Sequence, residues 1–552
     1  MNFLIFEETA YRRFLFFGGF MQNSVKSKGA SHGLLSGVLL LTVANVFVKI
    51  LGFFYKVPLN AVLGDEMANV NAAYAIYALL YTVSTAGVPN AVSLSVSRAR
   101  ARGNEKEVGR LLRVTASAFF LVGAGLTALL ILLAKPIALL NSGGDSYLCL
   151  LAIAPALVFA ALNSVLRGYF QGFERLEPTA VSELIEAVGK TLFGLLFAFV
   201  YLSYFGGGVR NAAALSVFAI TLGTGFSALA LGIFYRKRKI TPVSEKTAEG
   251  EDKRLLFSIL RLALPITATA ALMSLSSLLD AQLMRPLLSR FYGDADVAKT
   301  LYSDYSTGAL TLYNLPTVLV TPMSAAAIPF IAAALERGES ARAKGAMEVA
   351  LRAAALISLP CALGMSALAS PILSFVFRGD SDMAKNTGSL LSVLALAIFF
   401  VAVFTVTGAV LQAAKKERLP LLSLGVGVAV KLVSLFVLTL TVGEIGVPVS
   451  TLLFYISVCA LNLYFVKTEL GLSVRFGKTF LRPAIAAFLS AAGAYFSYTL
   501  LHVRVGESVA LFASIALAVL LYLLAVSSLR CVGREELSLF PFFKKHFAKR
   551  KK

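Results

Sequence analysis

Four residues of one apolar segment, Asn45, Lys49, Gly52 and Lys56, recur at spacings of four, three and four. That spacing sets all of them on one face of a helix. The face carries two ammonium groups and no carboxylate of its own. Such a stripe suits an anion, and phosphate above all, which lysine holds as an adaptable point charge. A charge at the centre of a bilayer costs about 2.5–3.5 kcal/mol on insertion scales, so it normally faces a protein interior or a wet cavity. For Lys56 the alternative is snorkelling to a nearby surface; Lys49 lies mid-segment. A second segment holds Glu183, Glu186 and Lys190. The i, i+4 spacing of Glu186 and Lys190 predicts a self-neutralised pair, and the two carboxylates are otherwise candidates for ion coupling. A third segment holds Asp280 and Gln282, with Arg285 at its end. Asp280 reads either as a proton or cation site or as a partner for a lysine of the first stripe. Lys431 has no acid on its own helix and reads as a structural lysine or a contact between lobes.

Prolines interrupt two further segments at corresponding places: Pro89 in STAGVPNAVS, and the Leu315–Pro316 step with Pro322 in YNLPTVLVTP. Broken helices in matching positions predict hinges around a shared site. The substrate-facing set is therefore Asn45, Lys49, Lys56, Asn90, Asp280, Gln282, Arg285 and Asn314, with hinges at Pro89, Pro316 and Pro322. Enzymatic signatures are missing. The four cysteines are scattered, and the three histidines form no cluster with them, so neither a metal site nor a redox pair is expected. GKT at 189–191 resembles the end of a phosphate loop, but Leu184 stands where the first glycine is required. No catalytic residue and no cofactor are expected. Energy must come from membrane potential or from a gradient of H⁺, Na⁺ or substrate.

The segments that position these residues are membrane spans. Of 552 residues, 58% are hydrophobic and 15% charged, and the mean hydropathy is +0.78. A soluble domain is nearer 25% charged. Fourteen stretches reach the roughly 20 apolar residues of a spanning helix, centred near Val46, Leu80, Leu126, Pro155, Leu195, Leu222, Leu272, Val318, Ile357, Ala395, Leu432, Phe454, Phe488 and Ala518. With both termini cytoplasmic, 37 Lys and Arg fall inside and 8 outside, as the positive-inside rule demands. The net charge of +21 is thus topology and attraction to anionic lipid, not a sign of nucleic-acid binding.

Polar loop sequences repeat. RGNEKEVGRLLRVT from Arg102 matches RGESARAKGAMEVA from Arg337, and Gln171 with Lys190 matches Gln412 with Lys431. The expectation is an all-α polytopic membrane protein of 14 transmembrane helices. An interfacial segment (1–33) precedes a six-helix lobe (34–236), a linker (237–254), a pseudo-symmetric six-helix lobe (255–468), two added spans (469–530) and a basic tail (531–552).

Three stretches are recognisable together: GFFYKVPLNAVLGDE, AAYAIYALLYTVSTAGVPNAVSLSVSRARARGN and SVLRGYFQGFERLEPTAVSELIE. In the second half LALPITATAALMSLSSLLDAQLM, YNLPTVLV and LQAAKKERLPLLSLGVGVAVKLV agree. Over about residues 34–530 the chain resembles the stage V sporulation protein B branch of the oligosaccharide flippases. That branch lies in the multidrug/oligosaccharidyl-lipid/polysaccharide exporter superfamily, with the bacterial lipid II flippases. The resemblance implies two lobes around a cavity and export of a polyprenyl-diphosphate-linked saccharide across a bacterial cytoplasmic membrane. It sets Lys49 at one cavity arginine of the lipid II flippases and Tyr55 at the next, beside Lys56; their eighth-span arginine has no counterpart in GALTLYNLP. The expected function is a flippase, not an enzyme, whose partners are the lipid-linked saccharide and membrane lipid. A monomer is favoured. The alternative is a cation-coupled multidrug exporter, for which Asp280, Glu183 and Glu186 would bind the ion.

Overall fold

The computed structural model describes residues 30–142, 144–236, 249–317, 331–332, 334–377, 381–529 and 531. Those residues are helical, with no strand among them. In hydrocarbon every backbone N–H and C=O must be satisfied within its own segment, and a helix does this. The first half runs α1 (Ala30–Leu63), a 3-10 turn (Gly64–Glu66), α2 (Met67–Thr85), α3 (Val88–Ala101), α4 (Glu105–Ser142), α5 (Tyr147–Ile153), α6 (Ala156–Gly172), α7 (Glu177–Phe205) and α8 (Val209–Arg236). The second half opens with a 44-residue helix, α9 (Glu249–Tyr292), then α10 (Ala295–Asp304), a π-turn (Tyr305–Ala309) and α11 (Leu310–Thr317). It continues with α12 (Ser340–Ala367), α13 (Ala369–Val376), α14 (Ser381–Ala413), α15 (Arg418–Val442) and α16 (Gly446–Leu470). The hairpin of α17 (Arg482–Val505) and α18 (Glu507–Ser528) ends it.

Eleven helical stretches among the described residues are long and apolar enough to cross a bilayer. Two of them, Ala44–Ala101 with 58 residues and Arg418–Leu470 with 53, contain a 3-10 turn and enough helix for two crossings each. The stretch expected near Val318, and the hinge Pro322, fall outside the described residues. Proline shapes several joints: Pro89 and Pro178 occupy the first turns of α3 and α7, where a missing N–H costs nothing. Gly206, at φ +59°, closes α7 in the left-handed conformation that glycine adopts freely. The polar repeat has a structural counterpart. Glu105 and Ser340 begin α4 and α12, and Glu177 and Arg418 begin α7 and α15.

The first half buries Leu59, Met67, Leu150 and Val217 in one cluster and Val92, Val96, Leu111 and Tyr169 in another. The second half buries Met284, Tyr302, Tyr305 and Leu394, and separately Met347, Leu351, Val410 and Phe454. The helix α9 belongs to both halves. Its beginning, through Ile259 and Ala263, joins the α3–α4–α6 cluster, and its later turns pack on α2 and α15. The hairpin α17–α18 docks on α12, where the Tyr522 hydroxyl donates to the Leu356 carbonyl at 2.6 Å. Outward faces carry exposed Leu132, Phe199, Phe488 and Leu524. On a soluble protein such an expanse would aggregate; in a bilayer it meets hydrocarbon.

Candidate functional site: a lysine-lined face between the halves

The polar stripe of α1 is present, but its members do different things. Asn45 and Lys49 are exposed, and Lys56 is half-buried. The Lys56 ammonium donates to the Ser306 carbonyl in the π-turn at 3.4 Å, so it reaches the second half of the chain. It also lies within electrostatic reach of Lys49 and of Lys190 on α7. Helices α1 and α7 pack along each other, which brings these three ammonium groups onto one region. Neither Lys49 nor Lys190 has a carboxylate at ion-pair distance among the described residues. Tyr55, which the resemblance set among the cavity residues, lies elsewhere. Its hydroxyl donates to the Ser216 carbonyl at 3.3 Å, and its ring fills the space that a side chain at Gly194 would need. It faces the packed interior of the first half rather than the lysine face.

The expected pair of Glu186 with Lys190 does not form. Glu186 is bound instead by Arg167 of α6 at 2.8 Å. The same guanidinium donates to Ser182 at 3.0 Å and Ser227 at 3.2 Å, and reaches Glu183 at 4.0 Å. A planar fork of donors suits this many acceptors, where an ammonium would not. Arg167 thus holds Glu186 directly and Glu183 only at the limit of ion-pair distance, while Lys190 makes no ion pair among the described residues and lies within electrostatic reach of Lys56. Sequence spacing sees only partners on the same helix, so it missed Arg167; an arginine inside the apolar run SVLRGYF, followed by two glutamates on the next helix, was the available signal.

Asp280 likewise finds a partner, though not on α1. It binds Lys431 of α15 at 2.7 Å, with both side chains buried. Lys431 donates further to Ser276 and Thr451, each at 3.0 Å. Lys431 is thus a structural lysine within the second half. Gln282 is half-buried, and its Nε2 has no hydrogen-bond partner among the described residues. Asn90 and Asn314 are exposed, and Asn314 Nδ2 donates to the Leu310 carbonyl of its own helix at 2.7 Å.

Arg285 belongs to a clasp at the charge-poor end of the bundle. It donates to Asn69 Oδ1 at 3.1 Å; Asn69 donates to Glu66 at 2.7 Å; and Glu66 accepts from Lys299 at 2.7 Å. Close by, Asn71 donates to Ser306 and Thr307, both at 2.9 Å. Each of these chains joins the first half to the second. Burial pushes the Glu66 carboxyl up, but hydrogen bonds from Lys299 and Asn69 and the charge of Lys299 outweigh it, and Glu66 sits below the ordinary carboxylate range. At the other, basic end, α3 and α4 pack on the start of α9 and have no extensive packing against α12 or α14 among the described residues. The halves are closed at the charge-poor end, with the lysine face behind the closure.

A multi-span helical membrane protein with two interacting halves is a transporter architecture. The sequence model described as polysaccharide biosynthesis protein matches residues 34–335, and the chain belongs to that family. A second model, MatE, matches residues 265–437. The lipid II flippase MurJ of Bacillus subtilis (strain 168) is 26% identical over 81% of this chain and 84% of its own length. Stage V sporulation protein B of the same organism is 25% identical over 93% of this chain and 98% of its own. Among solved structures, one described as lipid II flippase MurJ in an inward closed conformation superposes with TM-score 0.66 at 19% identity, covering 89% of this chain and 98% of that one. The expected membership of the flippase branch is borne out.

Proposed function

We propose that this protein is a flippase that carries a polyprenyl-diphosphate-linked saccharide across the cytoplasmic membrane by alternating access. The observation that supports the reading is the pair Lys49 and Lys56 on a face of α1 with no carboxylate of its own, with Lys190 of α7 within electrostatic reach of Lys56. The diphosphate binds there while the prenyl tail stays in lipid. Fourteen crossings with both termini in the cytoplasm put the basic end inside. The clasp of Glu66, Asn69, Arg285 and Lys299 then closes the outer side while the lysine face meets the cytoplasm. A potential is worth about 2.3 kcal/mol per charge per 100 mV. Inside-negative, it drives the diphosphate outward and draws the empty, lysine-bearing carrier back. The two pseudo-symmetric lobes, 34–236 and 255–468, rock about the face, with Pro89, Pro316 and Pro322 as hinges.

The MatE match favours a second reading, a cation-coupled drug exporter. Its ion sites would be Asp280, Glu183 and Glu186, but these already hold Lys431 and Arg167. The two readings separate in a binding experiment. The purified protein is titrated with a polyprenyl diphosphate and with a lipophilic cation. The flippase reading expects the diphosphate to bind and Lys49→Gln, Lys56→Gln and Lys190→Gln each to weaken it by about 1 kcal/mol, or fivefold. Binding of the cation alone would overturn it.

A further inference from the structure

The helices α3 and α9 approach closely. At Gly87 they are in contact: its N–H donates to Thr267 Oγ1 at 3.1 Å, and a Cβ there would stand 2.2 Å from the Ala263 carbonyl oxygen. Toward the basic end a groove of about 820 Å³ runs along the outside of this contact. Its lining includes Ser95 and Arg98 of α3 and Lys253, Arg254, Ser258 and Arg261 of α9. Arg254, Ser258 and Arg261 recur at helical spacing, so one face of α9 is turned to the groove.

Four cations line this groove and no acid does. None of the four has a carboxylate partner among the described residues, and the neighbouring Asp252 is taken by Arg110 of α4. Positive-inside topology accounts for basic residues in loops. It does not account for four of them converging with two hydroxyls on a concave surface formed by two helices. Guanidinium forks and serine hydroxyls are the donor set for a phosphate oxyanion. One rim is apolar: Phe257 lines the groove, and Phe257 and Leu264 are both 69% exposed on the same helix. A soluble anion has no use for that rim, whereas an acyl or prenyl chain does.

We propose that the α3–α9 groove is a binding site for the net-anionic phosphate head of a membrane lipid in the leaflet at the basic end. It is separate from the lysine face and does not depend on which substrate that face carries. Because α9 also packs on α2 and α15, an occupant would bridge the first half to the helix that leads into the second.

The test is native mass spectrometry of the full-length protein in detergent, with phosphatidylglycerol, phosphatidylcholine or a polyprenyl diphosphate added in turn. The unmodified protein should retain at least one of the two net-anionic lipids, phosphatidylglycerol or the polyprenyl diphosphate, in preference to zwitterionic phosphatidylcholine. Retention of phosphatidylglycerol alone identifies a bulk-lipid site, and retention of the polyprenyl diphosphate identifies a substrate-class lipid; either supports the proposal. The fourfold variant Arg98→Gln, Lys253→Gln, Arg254→Gln, Arg261→Gln should weaken retention by about fivefold per cation, on the order of several hundredfold in all. The milder pair Arg98→Gln, Arg261→Gln serves should the fourfold variant fold poorly. Neutralising Lys415, Lys416, Arg418 and Lys478 at the same end should leave retention unchanged. Equal loss from this control set, or none from the groove variants, would overturn the proposal.

Discussion

Replacing Glu66 by Gln should open the charge-poor end. Glu66 accepts from Lys299 and Asn69, both at 2.7 Å, and its side chain and that of Lys299 are only 20% and 17% exposed. Hydrogen bonds to a charged group contribute about 1.5–3 kcal/mol. Glutamine keeps one acceptor, so the expected loss is about 1.5 kcal/mol, close to a tenfold change in the ratio of closed to open forms. The assay is electron-spin distance measurement between labels at Ala61→Cys and Asp296→Cys, both exposed, on a background without the four native cysteines. Glu66→Gln should broaden the distance distribution toward longer values. Lys299→Gln should do the same, and the double variant should add little to either, since both remove one interaction. The pH dependence has a definite sign. The folded Glu66 carboxyl is held low, so its contribution is present above the ordinary value of about 4.3 and is lost as pH falls through the depressed one. Between pH 7 and 5 the distances should not move. Unchanged distances in both single variants, or fully additive shifts, would refute a coupled clasp.

Arg167→Met should cost about 3–5 kcal/mol in thermal unfolding, since it strands Glu186 and Glu183 without their cation. Adding Glu186→Gln should recover part of that loss; equal stability of the single and double variants would contradict the pairing. Lys431→Met should be similarly costly, whereas Lys431→Met with Asp280→Leu should be nearly neutral, because an apolar pair removes both desolvation terms. Gly87→Ala should lower stability by about 1–3 kcal/mol by forcing α3 from the Ala263 carbonyl; an unshifted melting temperature would show that the contact gives freely.

Much of this fold is legible in composition and periodicity, because a bilayer asks one simple thing of a helix: length and apolarity. The α1 stripe was legible for the same reason, since residues at spacings of three and four share a face whatever surrounds them. Spacing failed where the partner lies on another helix. Glu186 and Lys190 are well placed to pair on α7, yet Arg167 from α6 offers a better donor geometry and wins. Asp280 finds Lys431, 151 residues away. The clasp was invisible as a unit because Glu66, Asn69, Arg285 and Lys299 come from four separate elements. The asparagines of NVNAAYA, polar in an apolar helix, were the faint sign of it. The basic residues of the α3–α9 groove are visible in the sequence, but Arg98 and Arg261 come from helices 163 residues apart in the chain, so their convergence is not.

The most direct test of the central claim is movement of lipid II between leaflets of liposomes containing the protein, with and without an imposed potential. Movement should quicken with the potential in the outward sense and be lost in Lys49→Ala, Lys56→Ala, with folded, inserted protein verified in each preparation. Full movement in that double variant would contradict the claim.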